Sequence, residues 1–452
     1  MSHINKMNYI FRLVFILIFL LNVSIVYTQN AVLDQYIAEA IQQNLLLKQK
    51  NIPLAKGKLA LKEAEKRFKP SADFSFSYTL ALGGRTIDLP IGDLLNPVYS
   101  TLNKVTQSAQ FPQIENVENQ LLPNDFYDGR IRISYPVLNR DLHLQKDVRM
   151  QEILLQENEI DIYKKELILA VKLAYYQFGL VIESQKILIN SKKLLEKSLE
   201  TIQILVREGK ALPFQILRAE NEIEMLDTKL KETEYNIINA QLYLKFLLNR
   251  ENDLPFIFEK PVPEDNFTEN LTGLTVSPGN PVLKKMDIAL SIQSLVEKRN
   301  RQFFMPQISL FSDIGSQEFR WQFNSKSVYI MGGLQLTMPL WVNKMNKLKG
   351  EQIQLDIQSL KWSKELIENQ ENMAINMAYN KVISTKKAFA SMAKQVNTSA
   401  TYLRLSEKGF QGGTVTLLEM YDAQNQYTTA LLQENMKYYQ YLMAQSELQK
   451  LK

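Results

Sequence analysis

The sequence contains no cysteine. That removes disulfide frameworks, cysteine-ligated zinc, thiol catalysis and lipidation through an N-terminal cysteine. Histidine is nearly absent, with only His3 and His143 in 452 residues, so a His-rich metal site cannot be built and Ser-His-Asp chemistry would rest on His143 alone. Glycine is scarce at 16, and neither GxxxxGK[ST] nor GxGxxG occurs, which removes the usual phosphate-cradling loops. No charge of one sign prevails: 53 Lys plus Arg face 48 Asp plus Glu, for a net +5, without the dense basic face that nucleic acid requires. Beyond the first thirty residues no stretch approaches ~18 consecutive apolar positions. Composition therefore points away from an enzyme, and no cofactor, metal or catalytic residue is expected.

What is present begins with a leader. Residues 1–29 carry Lys6 and Arg12, then the apolar run Leu13 to Leu21, then a polar exit through Ser24, Thr28 and Gln29. A run of that length is too short for a bilayer, which needs ~20 residues, and its flanks predict a cleavable signal peptide. Val26-Tyr27-Thr28 fits A-x-A poorly, so the cleavage position stays open. A secreted chain with no second apolar span is either soluble or meets a membrane as a β-barrel.

The remainder is written twice. Arg67-Phe68-Lys69-Pro70 has its counterpart in Phe303-Phe304-Met305-Pro306, and Ser134-Tyr135-Pro136-Val137 in Thr337-Met338-Pro339-Leu340. Gly209 to Ala219 matches Gly413 to Ala423, glycine and alanine standing ten residues apart in both. Pro136 precedes Gly209 by 73 residues, and Pro339 precedes Gly413 by 74. Three paired landmarks at nearly equal spacing indicate a duplicated unit. The first repeat spans 30–250, a Pro-rich connector 251–280, and the second repeat 281–452.

Each repeat contains a very long helix. Ile153, Ile160, Leu167, Ala174, Val181, Leu188, Leu195 and Ile202 recur every seven residues, which predicts a supercoiled helix packed along its whole length. Asp141 to Arg207 would run ~100 Å. Three residues further on stand Tyr163, Ala170, Gln177, Ser184, Ser191 and Ser198, mostly small side chains suited to close helix approach. The second stripe is Ile353, Leu360, Ile367 and Ala374, shifting by one to Ile375, Val382, Phe389, Val396 and Leu403. Gly209 and Pro213 break the first helix, and Gly409, Gly412 and Gly413 the second. Helical periodicity then returns, giving hairpins over 140–248 and 340–451.

Strands come in two pairs. In 72–82, Phe74, Phe76, Tyr78 and Leu80 alternate with Ser75, Ser77, Thr79 and Ala81; in 127–135, Ile131, Ile133 and Tyr135 alternate with Arg130, Arg132 and Ser134. The second pair covers 307–314 and 328–338. The period of two, apolar against small or polar, is that of membrane barrel strands. Four strands cannot close a barrel, so copies must combine, and spacing alone allows a dimer of eight strands or a trimer of twelve. Residues 83–126 read as a long strand-joining loop with Pro90, Pro97, Pro112 and Pro123, on the exterior side. The alternative is a periplasmic coiled-coil adaptor or scaffold without a pore, its strands forming a small soluble sheet packed on helices.

The ordered set of duplicated halves, two strand pairs, Pro136 and Pro339 junctions and Gly-x9-Ala at both hairpin tips resembles the TolC-like outer-membrane efflux family over essentially the whole mature chain. The resemblance implies an α+β membrane protein: a homotrimer whose twelve shared transmembrane strands form one β-barrel, continued by a long periplasmic α-helical coiled-coil barrel. It implies the exit duct of a tripartite efflux pump or type I secretion system. The partners would be a periplasmic adaptor, gripping the tips at Gly209 and Gly413, and an inner-membrane RND or ABC transporter, with outer-membrane lipid around the barrel. Family members narrow the periplasmic mouth with two acidic residues three apart, and the matching positions are Glu419 and Asp422, on one helix face. Acids in early helical turns also complement the helix dipole. Repeat one has Gln215 and Arg218 at these offsets. The Tyr and Arg that lock some family mouths are Phe410 and Val415 here, so that polar lock is missing. Pro70, Pro136, Pro306 and Pro339 are expected at the strand–helix junctions, His143 as a solvated helix-start residue, and Phe319, Trp321 and Phe323 either in an interfacial girdle or in ordinary loop packing.

Overall fold

The computed structural model describes residues 30–251, 255–263 and 275–451; the leader expected at 1–29 lies outside them. The described residues fall into two compact units, each continued by chain from both sequence repeats. One comprises the described residues within Met1–Leu54, Gln156–Asp287 and Trp362–Lys452; the other comprises Ala55–Leu155 and Ile288–Lys361.

The first unit is helical. It holds α1 (Ala31–Gln43), the start of α2 (Leu45–Lys66), most of α4 (Arg140–Arg207), α5 (Phe214–Leu248), the start of α6 (Pro281–Arg301), much of α7 (Met345–Gln411) and α8 (Leu417–Leu451). The heptad stripe of α4 is buried at Ile160, Leu167, Ala174, Leu188, Leu195 and Ile202, with Val181 half-buried. Asn44 separates α1 from α2; its side-chain Oδ1 accepts the Leu47 amide and the Tyr163 hydroxyl, and its Nδ2 donates to the Leu247 carbonyl. The small-residue stripe on α4 is a hydrogen-bonded seam with α8: Asn435 donates to Ser184, Ser191 pairs with Thr428, and Gln424 donates to Ser198 at 2.9 Å. Serine allows the close approach, and facing amides and hydroxyls pair inside it, although Gln424 Oε1 finds no partner among the described residues.

Tyrosines organise the described part of the connector. The Tyr36 and Tyr175 hydroxyls each accept a connector amide, of Ile257 and Glu259, and donate to the same residue's carbonyl; Tyr438 donates to the Pro261 carbonyl. Phe256 and Phe258 dock between them into the core of α1, α4, α5 and α8. Phe258 lies so close to α4 that a Cβ on Gly179 would stand 2.3 Å from its ring. A glycine in mid-helix is there because the connector crosses at that point.

The second unit holds β1 (Ser71–Thr79), β2 (Thr86–Leu89), α3 (Ile91–Val105), β3 (Val117–Gln120), β4 (Phe126–Leu138), β5 (Gln307–Phe319) and β6 (Val328–Thr337), with the adjoining parts of the long helices. Four strands form one antiparallel sheet in the order β1-β4-β5-β6. The segment 83–126, read as a loop, is folded: β2 pairs with β3, and α3 lies between them. β5 runs on to Phe319, beyond the 307–314 read from the apolar alternation, because Gly315, Ser316 and Gln317 still pair with Arg130, Gly129 and Asp128. β1 ends at Thr79, where Asn124 Oδ1 accepts the Ala81 amide.

Candidate functional site: a two-faced sheet and two hairpin tips

Pro70 and Pro306 stand immediately before β1 and β5, and Pro339 two residues after β6. Pro136 departs from its expected junction: it lies inside β4, where the register with β5 shifts between Pro136 and Leu138. A proline there lacks a ladder donor, and a bulge tolerates that. Asn139 Oδ1 then accepts the Leu142 amide, capping the start of α4.

Cross-strand register sorts the sheet into two faces. Phe74, Ile131, Ile314 and Ile330 form one continuous row across all four strands. Tyr135, Leu310 and Leu334 form another on the same side. All of these side chains are exposed, Phe74 by 73% and Ile330 by 76%. The opposite face carries Asp73, Ser75, Ser77, Arg130, Gln317 and Gln335. At its centre Arg132 grips the fully buried Asp313 with two 2.7 Å bonds, while its guanidinium lies over the Phe311 ring.

Trp321, in the turn between β5 and β6, gathers Phe76, Tyr78, Tyr127 and Phe323 around it, with Tyr78 at 4.8 Å. This belt sits at the turn end of the apolar face, with Phe319 against Phe126 nearby. From Tyr127 to Tyr135 along β4 is about 27 Å, close to the ~25 Å apolar band of outer-membrane barrels. Both lateral edges, β1 and β6, lack a strand neighbour among the described residues.

The hairpin tips lie in the helical unit and are built alike. Gly209 and Gly413 both have φ +73°. At the first, Gly209 N–H bonds the Val206 carbonyl and Lys210 N–H that of Leu205; at the second, Gly413 N–H bonds Phe410 and Thr414 N–H bonds Gly409. Each is a Schellman end, in which glycine takes the left-handed position without the Cβ penalty. Behind the tips one core unites both hairpins through Leu195, Ile202, Ala219, Leu226, Leu417, Met420 and Tyr421, with Phe410 packed against it.

Glu419 and Asp422 share the exposed face of α8, while Leu417, Met420 and Tyr421 turn inward. Glu419 is also engaged locally. Its Oε2 accepts the Thr416 amide at 2.8 Å and the Thr416 hydroxyl at 2.9 Å, and its own amide donates to Thr416 Oγ1 at 3.3 Å. This reciprocal capping box holds the Glu419 carboxyl below the usual range, chiefly through the Thr416 amide. Asp422 Oδ2 accepts from Gln426 at 2.7 Å. The T-x-x-E signal at 416–419 was available in the sequence, and it identifies a helix start as well as a paired acid.

The first tip has no such cap. Pro213 precedes α5, and Leu212, Phe214 and Leu217 are exposed there. His143 is exposed near the start of α4, with its ring 4.7 Å from Phe68. No group of His, Asp or Glu able to hold a metal occurs among the described residues.

The model of the outer membrane efflux protein family matches residues 296–452. No curated protein matches the chain in sequence. In structure the chain is similar to the outer-membrane channel OprN, at 13% identity and TM-score 0.73, covering 93% of this chain and 89% of that one. It is similar to the CmeC outer membrane channel of Campylobacter jejuni, at 14% identity and TM-score 0.69, covering 93% and 85%. It is also similar to the MtrE outer membrane channel of Neisseria gonorrhoeae, at 17% identity and TM-score 0.70, covering 93% and 88%. Residues 296–452 thus match the outer membrane efflux protein family, and the chain as a whole has the TolC-like fold of long helices with four strands per chain.

Proposed function

We propose that the chain is a passive outer-membrane efflux channel, a homotrimer in which three four-stranded sheets close one twelve-stranded barrel and the helices form a periplasmic conduit. The observation that carries this reading is the sheet. Its apolar face is open from edge to edge, its other face bears the polar side chains, and both edge strands await a partner. A lipid-facing exterior, a polar lumen and an edge closed by the next copy satisfy all three features together. A soluble scaffold would need a helix over the row of Phe74, Ile131, Ile314 and Ile330, and each of these is exposed.

In this arrangement Glu419 and Asp422 form two rings of three carboxylates near the periplasmic mouth, favouring cations. The tips at Gly209 and Gly413 meet a periplasmic adaptor working with an RND or ABC transporter. The exposed Leu212, Phe214 and Leu217 supply an apolar surface for that contact. Purified protein in a planar bilayer should give uniform, cation-preferring conductance steps, and the native protein should remain in the outer-membrane fraction after a high-salt wash. Release by the wash together with silent bilayers would overturn the reading.

A further inference from the structure

Helix α3 turns the wrong side outward for a lone chain. Gly92, Asn96, Tyr99 and Asn103 face the returning segment. Asn96 exchanges two hydrogen bonds with the Ile114 backbone and Asn103 two with that of Phe111, while Tyr99 meets the Phe111 ring. The polar side is thus consumed within the insert. About 100° round the helix from that side, Ile91, Leu95, Val98, Leu102 and Val105 recur at spacings of four, three, four and three, and every one is exposed, from 37% at Leu95 to 77% at Val105. Leu94 flanks the stripe and is exposed too. Four-three spacing is the seam of a coiled coil, with Leu95 and Leu102 at one core position and β-branched Ile91, Val98 and Val105 at the other. Leucine at a with β-branched residues at d favours three or four strands over two. Pro97 and Lys104 lie off the seam.

The surroundings select the same occupant. Residues 80–126 hold two cations, Arg85 and Lys104, against five anions, Asp88, Asp93, Glu115, Glu118 and Asp125. An acidic insert is repelled by an anionic lipid surface, whose amphipathic binders carry Lys and Arg on the polar face. The insert also follows directly on β1, the edge strand that the next copy must pair. We infer that the α3 helices of the copies sharing one barrel pack on each other through this stripe, as a short parallel bundle that narrows the outer mouth. The inference rests on the trimeric reading above and adds to it a second, exterior constriction built from 83–126.

Because the chain lacks cysteine, the test is clean. Val98→Cys and, separately, Leu95→Cys are placed on the seam and Lys104→Cys off it, and each variant is oxidised in the membrane and then sized in native and denaturing gels. Seam cysteines should link up to two of every three chains into covalent dimers, with Lys104→Cys remaining monomeric in denaturant. Val98→Asp with Leu102→Asp should raise single-channel conductance at least twofold. Native trimers whose two seam cysteines both stay uncross-linked and react freely with maleimide would overturn the bundle while leaving the channel standing. Loss of trimers in the unmodified protein would instead overturn the channel.

Discussion

At the scale of single residues, Glu419 has one role in the structure, the cap with Thr416, and one in the proposed function, the acidic pair with Asp422. It closes the capping box with Thr416, and it stands three residues from Asp422 on the same exposed face. The two roles separate by substitution, because glutamine also serves at that box position. Glu419→Gln with Asp422→Asn should reduce cation preference with little change in melting temperature. Thr416→Ala should lower stability by about 1 kcal/mol while selectivity persists. Unchanged ion preference in the double variant would confine both acids to the helix start. The pH dependence has a fixed sign. Since the Glu419 carboxyl is held below its ordinary value, its capping contribution is present above about pH 4 and is lost as pH falls through the lower folded value. Selectivity carried by Glu419 should likewise survive mild acid, as recorded by reversal potentials from pH 7 downward. Tyr421 is a second such position. It is 1% exposed, its hydroxyl has no partner among the described residues, and burial pushes it up to about 12. Removing an unpartnered buried hydroxyl relieves a penalty of about 1 kcal/mol, so Tyr421→Phe should hold or raise the thermal midpoint.

Among the elements, what was legible in the sequence followed the regularity of the pattern. The stripe from Ile153 to Ile202 could be read because a packed helix repeats its inward residues every seven positions, and the structure buries seven of those eight side chains. The strands could be read where apolar and polar residues alternate, and reading failed where Gly315, Ser316 and Gln317 keep the ladder without the alternation. Helix α3 was missed because its asparagines point inward and its aliphatics outward, and because Pro97 sits inside it. The roles of Gly179 and of the tyrosine hydroxyls were out of reach, since each depends on a connector distant in sequence. Gly179 makes the point measurable. Alanine there drives a Cβ into the Phe258 ring and close to Tyr439. Displacing these rings should cost about 1–3 kcal/mol, visible as a lower melting temperature and faster proteolysis of the connector.

For the whole molecule, the two faces of the sheet give opposite responses to the same charge. Ile330→Lys adds a cation to an exposed position, which a soluble protein would accept. Facing lipid, it should cost about 2–4 kcal/mol near the bilayer midplane and cut the amount of trimer recovered from the outer membrane. Gln335→Lys, on the other face of the same strand, should assemble normally. Equal yields of the two variants would remove the membrane assignment of the apolar face. The sheet order has a further effect on assembly. Inside one chain, the second strand of repeat one, β4, meets the first strand of repeat two, β5. In the proposed ring, β6 of one copy and β1 of the next would meet in the same relation with the repeats exchanged. In the proposed trimer the seam between copies would reproduce the seam within a copy, making the ring a pseudo-hexamer encoded as three tandem pairs. Covalent pairing frees alternate sixths to diverge, and so an acidic Glu419 and Asp422 can stand beside a Gln215 and Arg218 that a true hexamer would have had to make identical.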